Sequence, residues 1–168
     1  MRRTERDATY VEFVAARQGH FRRVAYALCG NWTHAEDLVQ VALTKLYVAW
    51  PRVCRDGREE AYVRQILVRA NIDELRRPWR REHPVEFLPD VPAWTTSSIE
   101  ERTPLADALF ELPEMQRKTV VLRHWLGLSV EETARELGIA EGTVKSHSAR
   151  GLQRLQTLVT REGNSHEH

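Results

Sequence analysis

Thr143, Lys145, Ser146, Ala149 and Arg150 sit two, one, three and one residues apart in the stretch EGTVKSHSARG. Their side chains offer hydrogen-bond donors and positive charge, not covalent chemistry. Placed on a helix at 100° per residue, Gly142, Ser146, Ala149 and Gln153 form one narrow line, flanked by Lys145 and Arg150. Val144, Ser148, Gly151, Leu152, Leu155, Leu158 and Val159 fall on the other side, as a packed face. Glycine inside a helix costs roughly 0.5–1 kcal/mol relative to alanine, so a ridge this thin calls for a reason. One reason is fit: a slim helix enters a DNA major groove about 12 Å wide. There Arg150 can fork onto a guanine edge, Lys145 suits a phosphate, and Ser146 suits either. The other reading is an ordinary surface helix filled with small residues.

The elements that must hold this ridge are legible around it. Ser129 and Glu132 are spaced as a capping box, and Val130 to Leu137 reads as a short helix stopped by Gly138. Ile139 and Ala140 make a tight turn, and a second helix begins near Glu141. Two helices joined by a short glycine-containing turn are a helix-turn-helix, and that arrangement favours the DNA reading of the ridge. Gly151, on the inward side, is expected to let the preceding helix approach closely. Thr9 with Glu12 and Thr33 with Glu36 repeat the capping-box spacing, while Gly30 and Gly127 sit where helices stop. Pro51 and Pro78 are expected to end the helices before them. No alternating strand pattern appears, so the chain is expected to be all-α. Residues 78–104 hold five of the seven prolines and a Thr/Ser cluster, and read as an extended linker. The expected division is a helical bundle over 1–78, a linker over 79–103, a helix-turn-helix unit over 104–160 and a disordered tail over 161–168.

Two helices of the first unit carry their own signals. Residues 34–50, HAEDLVQVALTKLYVAW, place Ala35, Leu38, Val39, Ala42, Leu46 and Ala49 in one stripe. Asp37, Gln40, Val41, Thr44 and Val48 lie on the far side. That far side fits a protein-partner face oriented by Asp37 and Gln40, and equally fits scattered surface apolar residues. Residues 59–77 form another helix. From Arg64 to Glu82, six arginines stand against Asp73, Glu74 and Glu82, with Tyr62 and Trp79 at the two ends. A basic helix with aromatic residues can track a phosphate backbone and stack bases. A solvated charged face fits the same pattern.

Bulk composition does not decide between these readings. Net charge is only +1, so any nucleic-acid signal lies in where the charges sit. Three of the 25 basic residues are lysines and the other 22 arginines, a bias that suits phosphate and guanine, or reflects codon usage. Cys29 and Cys54 form no CxxC and read as reduced thiols of a cytoplasmic protein. The charged N-terminus is not a secretory signal, and no apolar run is long enough to cross a membrane. No nucleophile–base pair, metal cluster or phosphate-cradling glycine loop is visible, so neither enzymatic activity nor a cofactor is expected. His20, His34, His83 and His124 are scattered, as surface or capping residues are.

AEDLVQVALTKLY, then YVRQILVRANIDELRR, the proline-rich strap and LPEMQRKTVVLRHWLGLSVEETARELGIAEGTVKSHSARGLQRL follow one another in order. In that order the chain resembles the extracytoplasmic-function (group 4) sigma factors of bacterial RNA polymerase, most of all the actinobacterial SigE-type branch, over about residues 9–159. The resemblance implies a sigma region 2 bundle, a linker and a sigma region 4 helix-turn-helix. It implies that Asp37, Leu38, Gln40 and Val41 bind the β′ coiled coil of core polymerase. Tyr62, Arg69, Asp73, Arg76 and Arg77 fall in the helix that reads and opens the −10 element. Thr143, Lys145, Ser146, Ala149 and Arg150 fall where the family reads the −35 duplex. The implied partners are core RNA polymerase through β′ and β, promoter DNA, and an anti-sigma factor as a further candidate, with no membrane insertion. Departures from the family pattern are Val41 for a frequent Glu, Tyr62 for Trp, Arg69 for Asn and His147 for Arg. The rival reading is a polymerase-independent helix-turn-helix regulator, which requires a dimer interface; none is visible after Leu158.

Overall fold

A computed structural model describes residues 1–74 and 104–165, with the backbone alone for residues 71–74. Every element among the described residues is helical, and the chain divides into two units, residues 1–99 and 100–168. The division falls inside the stretch assigned to the linker. Residues 75–103, which include Pro78, Trp79, Arg76 and Arg77, lie outside the described residues, as does 166–168.

Among the described residues the first unit has three helices. Helix α1 (Arg3–Cys29) stops at Gly30, whose φ of 77° is left-handed and whose N–H donates to the Tyr26 carbonyl at 2.8 Å. Helix α2 (Trp32–Asp56) starts at once, because the Asn31 side chain accepts from the His34 N–H at 3.0 Å. So short a connection makes α1 and α2 a helical hairpin. Helix α3 (Glu59–Glu74) packs on both. Val14, Phe21, Leu28, Leu38, Leu46, Val63 and Leu67 are fully buried and form the core. The first turns of α1 are tied to the middle of α2 by polar contacts. Arg6 Nη2 donates to Tyr47 Oη at 2.8 Å, and Tyr47 donates to Asp7 at 2.8 Å. Tyr10 donates to the Leu43 carbonyl, and Trp50 Nε1 donates to Thr9 Oγ1, each at 2.9 Å. Burial, and then the neighbouring Tyr47, push the Tyr10 phenol well above its ordinary pKa.

The second unit holds α4 (Pro104–Glu111), α5 (Glu114–Val120), α6 (Val130–Leu137) and α7 (Glu141–Ser165). Helix α5 runs directly into one π-helical turn, Val121–Trp125. Ala108, Leu112, Val120 and Leu155 make a core against which Leu109 and Leu158 pack. Lys118 is buried and holds Glu114 at 2.7 Å.

Several local expectations are corrected. Thr9 is no cap: it lies inside α1, where its hydroxyl donates to the Glu5 carbonyl and accepts from Trp50. Thr33 lies inside α2, capped by Asn31, and Glu36 pairs with Arg22 at 3.3 Å. Pro51 does not end its helix, which continues to Asp56 and stops at left-handed Gly57. An interior proline costs about 3 kcal/mol. Burial of Val53 two residues on, worth about 1.5–3 kcal/mol, offsets much of that. The tail, expected disordered from residue 161, is helical through Ser165.

Candidate functional site

The second unit builds its exposed ridge in steps. Ser129 Oγ accepts from the Glu132 N–H at 3.0 Å while the Glu132 carboxylate reaches back to the Ser129 N–H, so the expected capping box is present. Gly138, at φ 66°, stops α6 with its N–H on the Ala134 carbonyl. Ile139 N–H also donates to Ala134, at 3.1 Å, and Val144 N–H donates to Ala140 at 3.0 Å, which closes the first turn of α7. This is the helix-turn-helix read from the sequence.

On α7 the five candidate residues separate by exposure. Lys145, Ser146, Ala149 and Arg150 are exposed on one side, and Thr143 is half-buried at the edge. Val144, Gly151 and Leu155 are buried on the other. A Cβ on Gly142 would meet nothing within 4 Å, so the thin ridge is thin into open space. The structure corrects the wheel in two places: Leu152 and Val159, assigned to the packed face, are among the exposed large apolar residues.

Gly151 has a different purpose from Gly142. A Cβ there would lie 2.6 Å from Val120 Cγ2 and 3.5 Å from the Gln116 carbonyl oxygen. The helix that approaches is therefore α5, not the preceding α6 as expected. Val120 is β-branched and stiff at χ1, so it yields poorly. Gly151→Ala gains at most about 1 kcal/mol in helix propensity against about 1–3 kcal/mol of overpacking. The expected result is a net loss of about 1 kcal/mol in a urea melt, with Val120→Ala restoring part of it.

Behind the ridge stands a feature the sequence did not announce. In the π turn, Leu126 N–H donates to the Val121 carbonyl and Leu128 N–H to the Leu122 carbonyl, both at 2.9 Å. Arg123 Nη1 donates to the Leu128 carbonyl, tying the turn to the lead-in of α6. His124 Nε2 and Ser148 Oγ are hydrogen-bonded at 2.8 Å, tying it to α7. His147 is half-buried, with Nδ1 enclosed and lacking a hydrogen-bond partner among the described residues.

In the first unit the candidate residues of α2 also separate. Asp37 and Gln40 are exposed. Leu38 is 0 % exposed and Val41 9 %, so both belong to the core, not to an accessible surface. Apolar Val41 fits that buried place. Val48 is 75 % exposed, on the same side as Asp37, Gln40 and half-buried Thr44. On α3, Tyr62 is half-buried and Arg69 exposed. Asp73 has only its backbone described, and Arg76 and Arg77 lie outside the described residues. Among the described residues no group of three His, Cys, Asp or Glu could hold a metal ion, and no helix is long and apolar enough to cross a membrane.

Comparison with known proteins bears on both surfaces. Residues 13–81 match the family Sigma-70 region 2, and residues 102–155 match Sigma-70, region 4. The chain is 37% identical to the RNA polymerase sigma-E factor of Streptomyces coelicolor over 91% of this chain and 88% of that one. It is 37% identical to the ECF RNA polymerase sigma factor SigM of Mycobacterium tuberculosis over 74% of this chain and 64% of that one. In fold it is similar to the sigma factor RpoE of Bartonella quintana, solved in complex with the anti-sigma factor NepR. That likeness has a TM-score of 0.57 at 24% identity, over 89% of this chain and 95% of the other.

Proposed function

Because the chain belongs to the sigma-70 family of RNA polymerase sigma factors, in its extracytoplasmic-function branch, we propose that α7 reads the −35 duplex while α2 grips core polymerase. The observation that carries this reading is the exposed ridge of α7, with Lys145, Ser146, Ala149 and Arg150 outward and Val144, Gly151 and Leu155 in the core. Arg150 donates to a base edge, Lys145 and Thr143 position the helix on phosphates, and Ala149 gives room for close approach. On α2, Asp37 and Gln40 orient the polymerase contact and Val48 supplies its apolar area. On α3, Tyr62, Arg69 and Asp73, followed by Arg76 and Arg77, hold the −10 strand. Unstacking a base costs a few kcal/mol, and capture of the displaced strand offsets that cost. The protein works in the cytoplasm, where its polymerase is, and performs no covalent chemistry itself. A net charge of only +1 suits a subunit that takes most of its DNA affinity from the polymerase.

Run-off transcription with purified core polymerase and a genomic DNA pool tests this reading. Discrete promoter-specific starts are expected, and their absence overturns it. Arg150→Ala should weaken discrimination of the upstream duplex by about 1–2 kcal/mol, roughly five- to thirtyfold, the lower part of what one base contact supplies, because Lys145 and Ser146 remain. Core binding, measured by co-purification, should not change. Equal loss of both would mean that α7 has been assigned the wrong partner.

A further inference from the structure

Helix α5 and its π turn meet α7 along a seam. Gln116 and Val120 lie against Gly151, and His124, one turn beyond Val120, lies against Ser148, three residues before Gly151 on α7. The two contacts do different physical work. The Val120–Gly151 contact is non-directional: it fixes how closely α7 approaches α5. A hydrogen bond is directional and weakens steeply as its angle departs from linear. We propose that His124 is a positioning residue, whose 2.8 Å bond to Ser148 sets the rotation of the recognition helix and hence the aim of Ser146 and Arg150.

Three observations carry this inference. Ser148 lies within one turn of Lys145, Ser146, Ala149 and Arg150, so a small rotation at Ser148 moves these four together. His124 is itself held on a braced segment: the π turn has its own backbone bonds, and neighbouring Arg123 is fixed to the Leu128 carbonyl. His124 is also exposed. Its imidazole therefore adds little to the core, and loss of its side chain leaves no buried cavity.

The inference rests on the reading of α7 as the −35 helix, and the test separates the two. The probe is a promoter duplex recovered from the run-off experiment, set against the same duplex with its upstream element scrambled. Binding by polymerase holoenzyme carrying the full chain is measured for wild type, His124→Ala, Ser148→Ala, the double variant and His124→Gln. His124→Ala is expected to lower discrimination between the two duplexes roughly three- to tenfold, the range of one lost hydrogen bond. Binding to the scrambled duplex and the thermal midpoint should stay at the wild-type values. Ser148→Ala should lose as much, the double variant no more than either, and His124→Gln, whose amide reaches a similar distance, should recover part. Wild-type discrimination in both single variants, or additive losses in the double variant, overturns the role of His124 alone. Wild-type holoenzyme that does not distinguish the two duplexes overturns the −35 reading and this inference with it.

Discussion

Leu38→Ala is expected to destabilise the first unit by about 2–5 kcal/mol, the range for leucine truncated in a core that collapses only partly. Leu38 is 0 % exposed, as deeply buried as Leu46 and Leu67. Yet it sits inside the DLVQ stretch between exposed Asp37 and Gln40, and in a binding assay alone its loss would look like loss of a polymerase contact. Stability and binding separate the two causes. Asp37→Ala and Gln40→Ala should leave the urea midpoint within about 0.5 kcal/mol of wild type, as surface substitutions do, while reducing co-purification with core polymerase. Leu38→Ala should shift the midpoint strongly, and its binding defect should shrink at low temperature, where more of it is folded. A Leu38→Ala variant as stable as wild type would mean that this side chain faces a partner.

Glu114→Ala is the second large effect, about 2–3 kcal/mol in the second unit. The cost arises at Lys118, which is 3 % exposed and loses the carboxylate 2.7 Å from its ammonium. Removing one partner of a buried pair costs about 3–5 kcal/mol. Glu114 is 54 % exposed, so water already screens the pair and the figure is set below that range. Lys118→Met should be close to neutral, because it removes the buried charge together with its need for a partner. The pH dependence has a definite sign. The Lys118 hydrogen bond, and then its charge, hold the Glu114 carboxyl below its ordinary 4.5. The stabilisation is complete above that value and is lost as pH falls through the lower folded-state value. Wild type should therefore lose stability in acid more steeply than Glu114→Gln. Parallel acid profiles would show that the pair contributes nothing.

What the sequence showed clearly was local. The Ser129–Glu132 box, the stop at Gly138 and the start of α7 near Glu141 each depend on residues within four positions of one another, and each stands as read. The same logic failed where a distant residue decided the outcome. Thr9 carries the spacing of a cap, but its hydroxyl is taken by Trp50, 41 residues away. Pro51 reads as a stop, but burial of Val53 beyond it favours continuing. Gly151 was rightly placed inward, yet which helix fills that side depends on tertiary packing, and it is α5. Among the site residues, periodicity puts Leu38 in the apolar stripe, whereas the family resemblance implies a polymerase contact, because a motif records residues without separating core from surface. Nothing in VVLRHWLGL distinguishes a π turn from an ordinary helical end, so the His124–Ser148 link had no signature in the sequence.

The polar contacts between the start of α1 and the middle of α2 bear on where the first unit begins. The region 2 match starts at residue 13, but Arg6, Asp7, Thr9 and Tyr10 satisfy Tyr47, the Leu43 carbonyl and Trp50. A version trimmed to the matched boundary would bare two aromatic rings and strand their polar atoms. The smallest stable form of this unit therefore reaches back at least to Arg6, beyond the edge that similarity alone would draw.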